Sequence, residues 1–284
     1  MNRSISLMEL SQIKGVGRSM MKRVLDKLSD GKTQHSTKPI KSIDNFVNKI
    51  FNQDCFNILP TIPSKSIDLI LTDTPYLHNK GGNGGGNTKI ATSNMYSTDS
   101  MVMSEMSDFG YDKLEELLNE SQRIMKKMNF YSFCNDSLLA YYLYWATINN
   151  YKFNILVWEK PLSILNRERY STNVEYIVRI YEDGVSLNKL DTSLKEHSQK
   201  YSKVKKYKVE NKIHPTKKPD KYIRDIIELS SNEGDVVLDP FMGEGTTIVN
   251  AVNLNRNFIG IEVDEYYYNV VKNRINEHNN YYTK

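Results

Sequence analysis

"GDVVLDPFMGEGTTIVNAVNLNRNFIGIEV", residues 234–263, runs from an apolar stretch ending in Asp239, through a tight Gly243-Glu244-Gly245 turn and a helix-forming stretch from Thr246, to a second apolar run ending in Glu262. That order predicts a strand, a helix and a parallel strand, with a ligand site at the carboxyl end of the first strand. Glycines let the backbone approach a ligand, the helix starting at Thr246 offers N–H donors, and Glu262 can accept from both ribose hydroxyls. A dinucleotide is the rival ligand, but Ile248 stands where a third glycine belongs and Asp239 would repel a pyrophosphate. An ammonium-bearing ligand suits Asp239 better. S-adenosylmethionine, with an ammonium group, a ribose and an adenine, is therefore the expected cofactor.

Outward from this unit, further runs of strand length recur at 66–73 (SIDLILTD), 152–160 (KFNILVWEK) and 174–181 (VEYIVRIY). Helical spacing is expected over 111–128, 136–149, 219–231, 246–254 and 264–277. Strands apolar on both faces and alternating with helices imply a mostly parallel sheet covered on both sides. The catalytic body is expected over 46–284, preceded by a linker at 31–45 and a helical hairpin at 1–30. The 284 residues, 39% of them hydrophobic, suffice for one large α/β domain with a small appendage. No apolar run approaches the roughly 20 residues that span a bilayer, and a cytoplasmic location without membrane contact is expected. Cys55 and Cys134 lack metal-site spacing and read as packing residues, so no metal is expected.

Three separated motifs carry a family resemblance. "NQDCFNILPTIPSKSIDLILTDTPY" (52–76), "HPTKKP" (214–219) and the block 236–275 occur in an order that resembles the DNA amino-methyltransferases of the permuted β class, which include the cell-cycle-regulated adenine methyltransferases. The resemblance implies a class I S-adenosylmethionine-dependent methyltransferase fold: a seven-stranded, mostly parallel sheet with one antiparallel edge strand and helices on both faces. It also implies that Asp239, Phe241, Gly243 and Gly245 border the methionine part of the cofactor, that Glu262 holds its ribose and that Asp54 lies near its adenine. Lys218 falls where the family places a cofactor-side basic residue.

"DTPY", residues 73–76, resembles the family's Asp/Asn/Ser-Pro-Pro-Tyr tetrapeptide, with Thr74 in place of the first proline. An exocyclic base amine is a poor nucleophile because its lone pair is delocalised into the ring, so two acceptors must favour a tetrahedral nitrogen in line with the methyl group. The resemblance assigns these roles to the Asp73 carboxylate and the Thr74 carbonyl, with Tyr76 stacking on the base. Pro75 biases Thr74 toward an extended backbone. The glycine tract at 81–86 is expected to let a segment close over an extruded base. With Asp at position 73 the resemblance favours adenine N6. Rival readings are cytosine N4 in DNA, an RNA or protein substrate, and a DNA-binding relative impaired by Thr74.

The net charge of +4 says little by itself, but lysines concentrate at the N-terminus and in 189–212. "IKGVGRSMMKRVLDKL" (13–28) resembles a helix-hairpin-helix, in which Gly15, Val16 and Gly17 would present backbone N–H groups to a DNA phosphate and Lys14, Arg18 and Lys22 would neutralise it. A simple helical hairpin packed on the catalytic body is the alternative. The resemblance makes 183–212 the candidate target-recognition segment. Family members often dimerise, so a homodimer is expected on that ground alone.

Overall fold

The computed structural model describes residues 42–75, 109–160, 173–190, 193–207 and 218–282, without the side chains of 195 and 278–282. The expectations for Lys14, Gly15, Val16, Gly17, Arg18, Lys22, Tyr76, the tract 81–86 and parts of 183–212 lie outside the described residues.

The strands are β1 (Lys49–Asn52), β2 (Leu69–Asp73), β3 (Asn129–Cys134), β4 (Lys152–Glu159), β5 (Val174–Tyr181), β6 (Val204–Lys205), β7 (Val236–Asp239) and β8 (Asn257–Glu262). The described helices are α1 (Cys55–Ile58), α2 (Tyr111–Ile124), α3 (Asp136–Ile148), α4 (Lys195–Lys200), α5 (Asp220–Ser230), α6 (Thr246–Asn253) and α7 (Glu265–Tyr282). Together the strands form one sheet in the order β1-β8-β7-β2-β3-β5-β4-β6. Pairing is parallel except at β5, which runs antiparallel to both β3 and β4.

Two expectations are corrected here. Among the described residues the sheet has eight strands rather than seven, because the two-residue β6 pairs with Val157 and Trp158 of β4. No apolar run marks β6; just beyond it the Tyr207 carbonyl accepts from the Trp158 indole at 2.9 Å. The antiparallel strand is also internal rather than at an edge. β5 fills the space between β3 and β4, pairing with β4 along eight residues from Lys152↔Tyr181 to Glu159↔Val174.

Alternation along the central strands divides the core into two layers. Ile70, Phe130 and Val178 pack on one face with Leu114, Leu117 and Leu118 of α2 and Leu138, Tyr142 and Trp145 of α3. Leu69, Leu71, Tyr131 and Phe133 pack on the other with Tyr222, Ile223 and Ile226 of α5, Ile248 of α6 and Val271 of α7. Burying an aliphatic or aromatic side chain of this size stabilises the fold by about 1.5–3 kcal/mol, which is why both helical layers adhere. Among the described residues, no helix is long and apolar enough to cross a membrane.

Chain order reverses between β7 and β2. From β7 the chain proceeds through β8 on one side, and from β2 through β3 on the other. Such a switch point leaves a crevice beyond the strand carboxyl ends. Asp73 and Asp239 are the last residues of the two strands that flank it.

Candidate active site

The crevice opens into a cavity of about 310 Å³ whose wall includes Asp54, Phe56, Pro75, Phe109, Phe241 and Glu262. That volume is within the range of small-molecule sites. Phe241 anchors an aromatic cluster, its ring centroid 6.4 Å from Phe56 and 5.7 Å from Phe109 in edge-on arrangements. Lys113 Nζ lies 4.2 Å from the Phe56 ring centre. The two carboxylates occupy different settings. Asp54 is exposed and caps α1, its Oδ1 accepting from the Phe56 N–H at 2.9 Å. Glu262 ends β8, its Oε2 accepting from Gly243 N–H at 2.8 Å and its Oε1 from Asp264 N–H at 2.9 Å. Burial pushes the Glu262 carboxyl above its ordinary range, against those two backbone donors.

The glycine turn supports this wall. Gly245 has φ of 78°, and a Cβ there would sit 2.6 Å from Val271 on α7, so both backbone and packing demand glycine. Gly243 brings its N–H to Glu262, and α6 begins at the buried Thr246. Asp239 is buried behind Pro240, its Oδ1 accepting from Thr72 Oγ1 at 2.8 Å and from Phe241 N–H at 3.2 Å. Burial raises its carboxyl to about 7, although these donors and Thr247 pull the other way. A chamber with an aromatic wall, two carboxylates at the ends of adjacent strands and a buried acid beyond it fits a ligand that combines an adenine, a ribose and an ammonium group.

Asp73 lies on the other side of the switch point, two residues before the cavity-lining Pro75. Its Oδ2 accepts from Lys218 Nζ at 2.6 Å. Its Oδ1 is buried and has no hydrogen-bond partner among the described residues. Lys218 also lies 2.8 Å from Glu175 Oε1, and Glu175 Oε2 lies 2.7 Å from Lys160 Nζ. Two carboxylates thus alternate with two ammonium groups, which offsets the desolvation that either charge type would suffer alone. Burial raises Asp73 to about 6 against the opposing pull of Lys218. Burial also disfavours charge on Glu175, but Lys218 and Lys160 outweigh it and hold that carboxyl below its usual range.

The sequence expectations meet this geometry unevenly. Asp54, Pro75, Phe241 and Glu262 converge on one cavity, while Asp239, Gly243, Gly245 and Thr246 build the wall behind it. Lys218, for which the resemblance implies a cofactor-side place, is held by two acids. It is absent from the cavity wall and pairs with Asp73 and Glu175, the two acids that compensate its buried charge. Sequence reasoning missed Glu175, Lys160, Phe56, Phe109 and Lys113. Only Glu175 left a trace, as a lone acid early in the apolar run 174–181.

Comparison with known proteins agrees with this architecture. The chain is 29% identical over 265 residues to the type II methyltransferase M.HinfI of Haemophilus influenzae, covering 84% of this chain and 70% of that protein. It is 27% identical over 254 residues to the DNA adenine methyltransferase YhdJ of Escherichia coli strain K12, covering 78% and 81% respectively. The crystal structure of an M1.HpyAVI–SAM complex superimposes with a TM-score of 0.56 at 23% identity, covering 80% of this chain and 98% of that one, a likeness of fold. A family model described as DNA methylase, N6_N4_Mtase, matches residues 67–273, and the chain belongs to that family of DNA methylases.

Proposed function

We propose that this protein methylates the exocyclic N6 of adenine at a specific site in DNA. The observation that carries this reading is the Asp73 carboxylate, two residues before the cavity-lining Pro75: one oxygen is gripped by Lys218, and the other is buried without a partner among the described residues. An orphaned carboxylate oxygen is costly, and a substrate N–H would relieve that cost. A base amine donating to Asp73 Oδ1 and to the Thr74 carbonyl would have its lone pair released from the ring toward a methyl donor. S-adenosylmethionine is the methyl donor and, when bound, supplies an electrophilic methyl group. Glu262 and Asp54 hold the ribose and adenine ends, and the aromatic wall excludes water. The amine is hidden inside a duplex, so the target base must be extruded before it meets Asp73.

DNA is held, on the same proposal, by Lys14, Arg18 and Lys22 around the Gly15-Val16-Gly17 hairpin, with 183–212 choosing the site and Tyr76 stacking on the base. Adenine is favoured by the aspartate at position 73 and by the likeness to an adenine methyltransferase. A carboxylate can also accept from the N4 amine of cytosine, which is the alternative outcome. The test is to incubate the protein with S-adenosylmethionine and unmethylated duplex DNA and to quantify methylated nucleosides by mass spectrometry. N6-methyladenine in the digest, lost in Asp73→Ala, is the expected result. N4-methylcytosine would reassign the base, and neither product would overturn the reading.

A further inference from the structure

Thr74 is the first residue beyond β2, and the paired register of β2 with β3 ends one residue earlier, at Asp73↔Phe133. No strand ladder therefore holds residue 74, yet its side chain is buried at 2% exposure. Its hydroxyl lies 3.1 Å from the Tyr142 hydroxyl on α3 and 3.4 Å from Ser132 Oγ on β3. Tyr142 donates to Ser132 Oγ at 2.9 Å, and Ser132 donates to the Phe133 carbonyl at 3.0 Å.

These contacts fix a direction. Each hydroxyl has one proton. With Tyr142 donating to Ser132 and Ser132 donating to a backbone carbonyl, the Thr74 hydroxyl must donate to Tyr142. The chain Thr74→Tyr142→Ser132→Phe133 carbonyl uses each of the three hydroxyl protons among buried residues, where such bonds reinforce one another. Burial also raises the Tyr142 phenol, so it stays protonated and able to donate.

We infer that this buried hydroxyl chain positions the Thr74 carbonyl and the adjoining Pro75 for methyl transfer, tethering the strand exit to β3 and α3 where β-ladder bonds have run out. Pro75 restricts the backbone of residue 74 from one side, and the hydroxyl tether restricts it from the other. Thr74 is thus more than a tolerated replacement. Its side chain is a positioning group acting through its own carbonyl. This inference rests on the proposed transfer to an exocyclic amine.

The experiment compares single-turnover methyl transfer to DNA by the wild-type full chain, Thr74→Val, Thr74→Ser, Tyr142→Phe and the Thr74→Val/Tyr142→Phe double variant. S-adenosylmethionine affinity and melting temperature are recorded for each. Thr74→Val should slow transfer roughly 10- to 100-fold, the effect of misplacing a reacting group by a fraction of an ångström to one ångström. Cofactor affinity should not follow that loss. Thr74→Ser, which keeps the donor, should restore most of the rate. The double variant should be little slower than Tyr142→Phe alone, because both changes cut one chain. A Thr74→Val rate equal to wild type, a serine variant no better than valine, or two losses that multiply would overturn the inference. No transfer by the wild-type protein would instead overturn the functional reading beneath it, so the two failures are distinguishable.

Discussion

Lys218 Nζ lies 2.6 Å from Asp73 Oδ2, joining a residue of the HPTKKP motif to the acid of the Asp-Thr-Pro-Tyr turn across 145 positions of sequence. The same ammonium lies 2.8 Å from Glu175, so one cation serves two carboxylates. Burial opposes its charge, but Asp73 and Glu175 outweigh that effect and hold Lys218 above the usual lysine range.

Removing that cation leaves two acids facing each other in a poorly solvated site. Lys218→Met should destabilise the fold by about 3 kcal/mol, the lower end of what breaking a buried ion pair costs. Urea denaturation measures this. The acid limb of any remaining methylation activity should move to higher pH, because the pull that lowers the Asp73 carboxyl is gone.

Methyl transfer should itself fall in acid. Asp73, raised to about 6 by burial against the pull of Lys218, keeps one oxygen accepting from Lys218 and the other free to accept from the substrate amine only when ionised. Single-turnover rates should be level above that value and drop about tenfold per pH unit well below it. A profile flat down to pH 5 would exclude Asp73 as the titrating group. Asp73→Asn should slow the reaction and flatten this acid limb, since the amide does not titrate and offers one acceptor oxygen where the carboxylate serves both Lys218 and the substrate amine.

Asp239 couples pH to stability. Its folded value, raised to about 7 by burial, lies above the value of about 3.9 in an unfolded chain, so the folded state binds the proton more tightly. The stabilisation is complete below about pH 4 and is lost as pH rises toward 7. Asp239→Asn should flatten the stability profile in that window, measured as melting temperature against pH. An ammonium-bearing cofactor favours the ionised acid, so the rise in melting temperature produced by S-adenosylmethionine should be larger at pH 8 than at pH 6. An equal rise at both would argue against that pairing.

Gly245→Ala combines positive-φ strain with a clash against Val271. The expected loss is about 1–3 kcal/mol, by thermal or chemical denaturation. Adding Val271→Ala relieves the clash but not the strain, so the double variant should remain below the value for Val271→Ala alone.

Much of the fold was legible locally. Helices expected over 136–149, 219–231 and 246–254 are found as Asp136–Ile148, Asp220–Ser230 and Thr246–Asn253. The expected helix over 111–128 ends at Ile124, because Met125 turns extended and Lys126 donates its N–H to Ile67. β3 was missed because "NFYSFC" mixes polar and apolar residues, although every one of them is buried. Its polar groups are satisfied at a distance: Asn129 donates to the Ser230 carbonyl, and Tyr131 pairs with the Ser230 hydroxyl. A buried strand reads as apolar only when its neighbours offer no such partners.

By itself the sequence established the strand–turn–helix–strand unit at 234–263, the alternation that makes an α/β sheet, and the acids at the carboxyl ends of β2, β7 and β8. These depend on periodicity and turn chemistry, which act over a few residues. Only the tertiary structure decided that Thr72 bonds to Asp239 across the switch point, that Lys218 pairs with Asp73, and that the Thr74 hydroxyl heads a chain through Tyr142 and Ser132. Each of these joins elements far apart in the chain, and burial determines their strength. Charges and hydroxyls that would be weakly coupled in water become strongly coupled once packing removes the solvent between them.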